Sequence, residues 1–210
     1  MKRISFKDSG GLNLTQAVLS GRKTMTRRAV PYKEETDAMK YAEGENNYTR
    51  AKFEYICDHS PYKIGDVVAI QQAYKDAHRE SIGDFIFEKD YFKERYQKTA
   101  GWTNKMFVKA KYMPHHIRIT GVCVERLQLI PYEDCLREGV FRDIDGGRVI
   151  GYPFGVPFYY TFTGAISKNG KQLHWETPRD AFATLIDKVS GRGTWNRNPL
   201  VWAYSFEIVD

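Results

Sequence analysis

Two rhythms of apolar residues run through this chain, one helical and one alternating in the manner of strands. In Asn13 to Gly21, Leu14, Ala17 and Val18 share one face of a helical wheel. Asn13 stands where an N-cap belongs and Gly21 where a chain leaves in the left-handed conformation, so a short helix is predicted over Asn13 to Ser20. Pro131 to Gly139 predicts a second one, over Tyr132 to Glu138, with proline and acids in its first turn and glycine just past its end. The best-marked helix is Pro178 to Val189. Thr177 can cap it, Pro178 takes its first position, and Phe182, Leu185, Ile186 and Val189 line one face before Gly191.

The strand rhythm begins after the turn residues Gly65-Asp66, where Val67, Val68, Ala69 and Ile70 predict a buried strand within Asp66 to Tyr74. Met106 to Tyr112 resumes the pattern, Ile117 to Leu127 predicts one long strand bent near Gly121, and Val201 to Ile208 predicts the last strand. Three stretches interrupt, at about 31–60, 75–105 and 141–176. The first mixes charges of both signs and predicts an irregular surface insertion; the last contains the aromatic run Tyr152 to Phe162, read as packing rather than as a stacking platform. No repeat, linker or low-complexity tract divides the chain, and β segments lie at both of its ends. The pattern therefore predicts a single domain over 1–210, an α+β fold on one closed sheet with insertions and a few short helices.

With 210 residues the chain can bury a full core, and 42% hydrophobic against 28% charged residues excludes wholesale disorder. The 32 Lys+Arg against 26 Asp+Glu leave a net charge of +6, which favours polyanions without demanding them. Met1 to Asp8 turns polar before any apolar run long enough for a signal peptide, and no stretch approaches the ~20 apolar residues of a membrane span. A cytoplasmic protein without membrane partners is expected. Cys57, Cys123 and Cys135 are an odd number without paired spacing, as reduced core residues are. Cys57-Asp58-His59 and His115-His116 lack the spacing of a structural zinc site, and a helix end explains Gly191-Arg192-Gly193, so neither metal nor cofactor is expected.

The candidate chemistry concentrates after the first helix. Arg22, Lys23, Arg27 and Arg28 place four basic residues within seven positions, interleaved with Thr24 and Thr26. At a helix exit leading into a strand, such a cluster can bind phosphate or a polar base edge, although as a bare pattern it reads more readily as a solvated charge run.

Resemblance sharpens this. Gly21-Arg22-Lys23-Thr24-Met25-Thr26-Arg27-Arg28 resembles the signature of the ASCH domain family, small PUA-like β-barrels related to RNA-binding modules, and most of all its phage- and prophage-associated branch. Further blocks agree in order: Pro61 to Val68, Tyr112-Met113-Pro114 with Ile117-Arg118-Ile119, Val124 to Gln128 leading into Glu133 to Gly139, and Asn196 to Trp202. Together they span about half the chain and leave the inserted stretches uncovered. The resemblance implies a PUA-like closed β-barrel. One lineage of the family comprises bacterial amidohydrolases that deacetylate N4-acetylcytidine with a lysine, a threonine and a glutamate. By that resemblance these fall on Lys23, Thr26 and Glu138.

The implied chemistry makes Thr26 the nucleophile, Lys23 a base whose pKa must be lowered by burial and by Arg22, Arg27 and Arg28, and Glu138 a proton donor favoured by its helix end. Residues three apart on a regular strand face opposite ways, so a turn or bulge must bring Lys23 and Thr26 together. One departure stands out: where that branch usually carries an Arg-Glu pair, this chain has Gln71-Gln72, which offers amides to a base in the pocket but no ion pair. Two functions stay open. The first is a reader of RNA, single-stranded nucleic acid or a modified nucleoside through Arg22, Lys23, Arg27 and Arg28; the second is a metal-independent amidohydrolase of acylated cytidines. A phage accessory protein that binds a host protein is a third possibility, and the sequence does not specify an oligomeric state.

Overall fold

The computed structural model describes residues 1–9, 12–80, 94–143, 158–161 and 174–209. Its centre is a five-stranded sheet built from β1 (Lys2–Ile4), β2 (Met25–Ala29), β3 (Val67–Ile70), β4 (His116–Arg126) and a last strand, β7 (Leu200–Ile208), in the order β1-β3-β4-β7-β2. Only β1 and β3 run parallel; the other neighbours are antiparallel. A separate ribbon pairs β5 (Val140–Asp143) with β6 (Phe158–Thr161). The mixed α+β reading holds.

The three predicted helices form at their expected positions. The first is α1 (Leu14–Leu19), although Asn13 makes no side-chain cap; Asp8 reaches in instead, its Oδ1 accepting from the Thr15 N–H at 2.8 Å and its Oδ2 from the Thr15 hydroxyl at 2.6 Å. Thr177 caps the long helix Pro178–Ser190 by accepting from the Asp180 N–H at 3.1 Å, and Phe182, Leu185 and Ile186 of that helix are buried, as its apolar stripe requires.

The long strand also appears. Between Ile119 and Gly121 the β4–β7 register slips, where Gly121 marked a bend. The last strand is central, pairing with β4 on one side and β2 on the other, with Leu200 to Tyr204 buried throughout.

Three expectations are corrected. Residues 31–60 are not irregular: they form α2 (Tyr32–Ala42) and α3 (Tyr48–Asp58), which cover the sheet. Ala38, Ala42 and Ile56 are buried, the Trp202 indole donates to the Ile56 carbonyl at 2.8 Å, and Ser60 meets the Tyr204 hydroxyl at 2.8 Å. The buried face of α2 consists of two alanines, too faint a stripe to register among its charges. Met106 to Tyr112 is not a strand but a pair of 3-10 turns, Lys105–Phe107 and Ala110–Tyr112. Local side-chain bonds outcompete a ladder there, with Asn104 accepting from the Met106 N–H at 3.0 Å and the Tyr74 hydroxyl from the Lys109 N–H at 2.9 Å.

Third, the sheet is not closed among the described residues. Its edges are β1 and β2, and where a barrel would carry a backbone ladder between them the Arg28 guanidinium donates to the Ser5 carbonyl. The seam is bridged by a side chain, and a cavity lies against it. Of the other predicted insertions, most of 141–176, including the greater part of the aromatic run Tyr152 to Phe162, and residues 81–93 of the stretch 75–105 lie outside the described residues. No helix of the described residues is long and apolar enough to cross a membrane.

Candidate functional site

The turn that follows α1 presents the first site residue. Gly21 has a φ of +72°, which lets the chain reverse; the Lys23 N–H then bonds back to the Ala17 carbonyl at 2.9 Å, and the Thr24 N–H to the Arg137 carbonyl at 2.9 Å. Arg137 ends α5 (Tyr132–Arg137), so that one backbone bond sets the turn against the end of a helix more than a hundred residues away. Lys23 precedes β2 rather than lying in it, and strand alternation therefore does not separate it from Thr26. Substituting alanine for Gly21 forces a side chain into the left-handed region and is expected to cost about 1–2 kcal/mol, read as a lowered thermal midpoint.

Glu138 follows α5, and Gly139 turns with a φ of +103°. Its carboxylate is buried, and so is the lysine that meets it: the Lys23 Nζ donates to Glu138 Oε2 at 2.5 Å and to the Glu138 carbonyl at 2.9 Å. Arg27 donates to the other carboxylate oxygen at 3.2 Å while holding Glu125 at 2.7 Å and Asp134 at 2.9 Å. Burial pushes the Lys23 amine below its ordinary value of 10.5 and the cations Arg28 and Arg27 add to this, against the pull of Glu138. For Arg27 burial works in the same sense, but Glu138, Asp134 and Glu125 outweigh it and hold the guanidinium above its usual value. Three carboxylates from two other elements thus clamp Arg27 behind the lysine.

Lys23, Thr26 and Glu138 all line one cavity of about 1030 Å³, at the upper end of the size range of small-molecule sites. The Lys23 amine spends its hydrogen bonds on Glu138 rather than on the Thr26 hydroxyl, for which no bond to a described residue is formed. The expected proton-donor role of Glu138 rested on its helix end; the dominant contacts are instead the two cations on its carboxylate.

The four basic residues do not form one surface. Arg22 is exposed beside the Ser20 hydroxyl at 3.0 Å and is not part of the cavity wall, whereas Lys23 and Arg27 are buried and Arg28 is partly buried, all three lining it. A row of solvated cations for a phosphate backbone is absent from this segment, because β2 turns its side chains inward. Gln72 is buried and lines the cavity; Gln71 is buried outside it and donates to the Lys105 carbonyl at 2.9 Å.

Sequence reasoning passed over Asp8 and Lys105, which pair at 2.5 Å in the cavity wall, and over Glu125 and Asp134. No spacing signal connects residues brought together from separate segments. The three cysteines are free thiols, with Cys135 buried and its thiol pushed up to about 12 by that burial. Among the described residues no group of three or more His, Cys, Asp or Glu side chains is placed to hold a metal ion. Neither a protein-family model, nor a curated protein, nor a solved structure matches this chain.

Proposed function

We propose that the cavity binds an acylated nucleobase or nucleoside of the N4-acetylcytidine type and hydrolyses its amide without a metal. The observation that carries this reading is the buried Lys23–Glu138 pair at 2.5 Å, in the wall of a cavity also lined by the Thr26 side chain. A lysine amine and a carboxylate buried together are costly unless the pair has further partners, and a hydroxyl on the same wall supplies a nucleophile such a pair can serve. The kind of substrate comes from the resemblance to ASCH domains, as does kinship with PUA-like barrels.

Passage of one proton from Lys23 to Glu138 leaves an amine and a carboxylic acid. The amine takes the Thr26 proton as the threonine oxygen bonds to the acyl carbon. The C–N bond then breaks, and the departing cytosine amine receives the proton held by Glu138. Water cleaves the threonine ester, releasing the carboxylic acid and restoring the hydroxyl, and Lys23 and Glu138 return to their original charges. Arg27 touches no reacting atom in this scheme; it positions Glu138 and is itself fixed by Glu125 and Asp134.

Incubating the protein with N4-acetylcytidine is the direct test, with cytidine and acetate as expected products. Binding without turnover would leave the reader of modified bases in its place. The inward turn of Lys23, Arg27 and Arg28 favours a small ligand over a long strand of RNA in either case.

Lys23 also predicts a pH dependence. The scheme needs the one proton that the Lys23–Glu138 pair shares, so kcat/KM falls as pH rises and that proton is lost, with a basic limb below 10.5 because burial has lowered the lysine pKa. Stability has the opposite sign. Between the lowered value and 10.5 the unfolded chain holds a proton that the folded chain lacks, so this group makes stability rise with pH across that window. A rate profile without a basic limb below 10.5, or a limb unchanged in Lys23→Arg, would remove Lys23 from the role of base.

A further inference from the structure

The cavity wall carries more positive charge than the proposed reaction uses. Lys7, Lys23, Arg27, Arg28, Lys75 and Lys105 line it, against Asp8, Asp76 and Glu138, with Glu125 and Asp134 behind the wall on Arg27. Two of the acids are already engaged, Glu138 with Lys23 and Arg27, and Asp8 with Lys105. Asp76 sits beside Lys75 on α4 (Tyr74–Glu80).

Arg28 is a cation of the wall that forms no ion pair among the described residues. It is partly buried, lies 5.8 Å from the centre of the Phe6 ring, and donates to the Ser5 carbonyl across the open seam; no carboxylate among the described residues forms an ion pair with it. Burying a guanidinium that donates to a carbonyl rather than to a carboxylate is unfavourable, even beside the Phe6 ring, and a planar fork of donors facing a cavity suits a bidentate anion. Lys7 stands on the same seam, its amine on the Lys188 carbonyl at 2.6 Å, and it too has no carboxylate partner among the described residues. Lys75 is exposed at the rim. Thr26 and Arg28 are two apart on β2, which puts them on one face of the strand about 7 Å apart. A ligand can therefore present an acyl group to the first and an anion to the second.

From this arrangement we propose that the ligand is phosphorylated: a nucleoside monophosphate whose phosphate pairs with Arg28, within the positive field of Lys7 and Lys75. Arg28, Lys7 and Lys75, none of them in an ion pair with a described carboxylate, match a phosphate dianion better than a single carboxylate. The inference rests on the proposed function for the nucleoside part alone; the anion is argued from the wall.

Calorimetric titration of the full chain with cytidine, cytidine monophosphate and inorganic phosphate tests it without any turnover. Cytidine monophosphate is expected to bind at least tenfold more tightly than cytidine. Arg28→Gln should bring the two affinities within about twofold of each other. Arg28→Lys, which keeps a charge, should retain part of the preference, and circular dichroism of both variants separates a lost contact from a lost fold. Equal binding of nucleoside and nucleotide overturns the inference, as does a preference that survives Arg28→Gln, or no binding of any probe. Inorganic phosphate binding as tightly as the nucleotide also overturns it, reducing the site to an anion site. The two readings fail separately: a nucleotide preference without hydrolysis of acylated cytidines removes the catalysis and keeps the phosphate contact, and the reverse result does the opposite.

Discussion

Thr26→Ala is expected to reduce hydrolysis of N4-acetylcytidine by about a thousandfold or more, because it removes the atom that bonds to the acyl carbon. The change deletes a hydroxyl and a methyl from a wall that already opens on a cavity, so the thermal midpoint should move by only a few degrees. Glu138→Gln is expected to abolish turnover as well, through a different loss. The amide can still accept from Lys23, but it can neither take the lysine proton nor deliver one to the leaving amine. Because the substitution also removes a charge facing Lys23 and Arg27, it should lower stability where Thr26→Ala does not. Rate and thermal midpoint measured on both variants separate a chemical role from a structural one. Turnover that persists in both would falsify the proposed catalysis and leave binding alone.

The second large effect is expected at the end of the chain. A chain ending at Arg197 lacks β7 and should show no cooperative unfolding transition. β7 joins β4 to β2, and Leu200, Val201, Trp202, Tyr204 and Phe206 are all buried in it. At roughly 1.5–3 kcal/mol for each large side chain buried, their loss approaches or exceeds the ~5–15 kcal/mol by which a domain of ordinary stability is folded. A milder version keeps the experiment informative. Trp202→Ala should cost about 3–5 kcal/mol, since it empties a buried site and also strands the Ile56 carbonyl that the indole satisfies at 2.8 Å. A soluble, cooperatively folding truncation, or a Trp202 variant of unchanged stability, would contradict the central position of β7.

What the proposed reading asks of the site is demanding but local. Lys23 must give up a proton to Glu138, and burial with Arg28 and Arg27 nearby presses it that way. Arg27 gives the carboxylate a fixed position, and the clamp of Glu125 and Asp134 keeps that arginine from swinging into the cavity in place of a ligand. The open seam between β1 and β2 has a function in the same picture, since a closed ladder there would occupy the space that Arg28, Ser5 and Phe6 now border.

The amino-acid sequence by itself determined the features written in neighbouring residues. Thr177 and Pro178 start a helix because one hydroxyl and one ring suffice to satisfy its first turn, and the bend of β4 sits beside a glycine because that backbone is the easiest to deform. The inward sequence of valine, tryptophan and tyrosine in β7 likewise carried its own burial. Tertiary structure decided the rest. Whether Arg22 to Arg28 is a solvated row or a cavity wall depends on where β2 joins the sheet beside β7 and on what packs around it, and no local pattern encodes it. Lys23 and Glu138 are 115 positions apart, and their bond exists only because a left-handed turn at Gly21 and the end of α5 are held together by a backbone bond between Thr24 and Arg137. The helices of residues 31–60 escaped notice because two alanines bury as much of α2 as the sheet requires, and the seam stayed open because the side chain of Arg28, rather than a backbone ladder, joins its edges. Caps and periodicity act within a few residues, whereas ion pairs and strand edges are settled by where the whole chain returns.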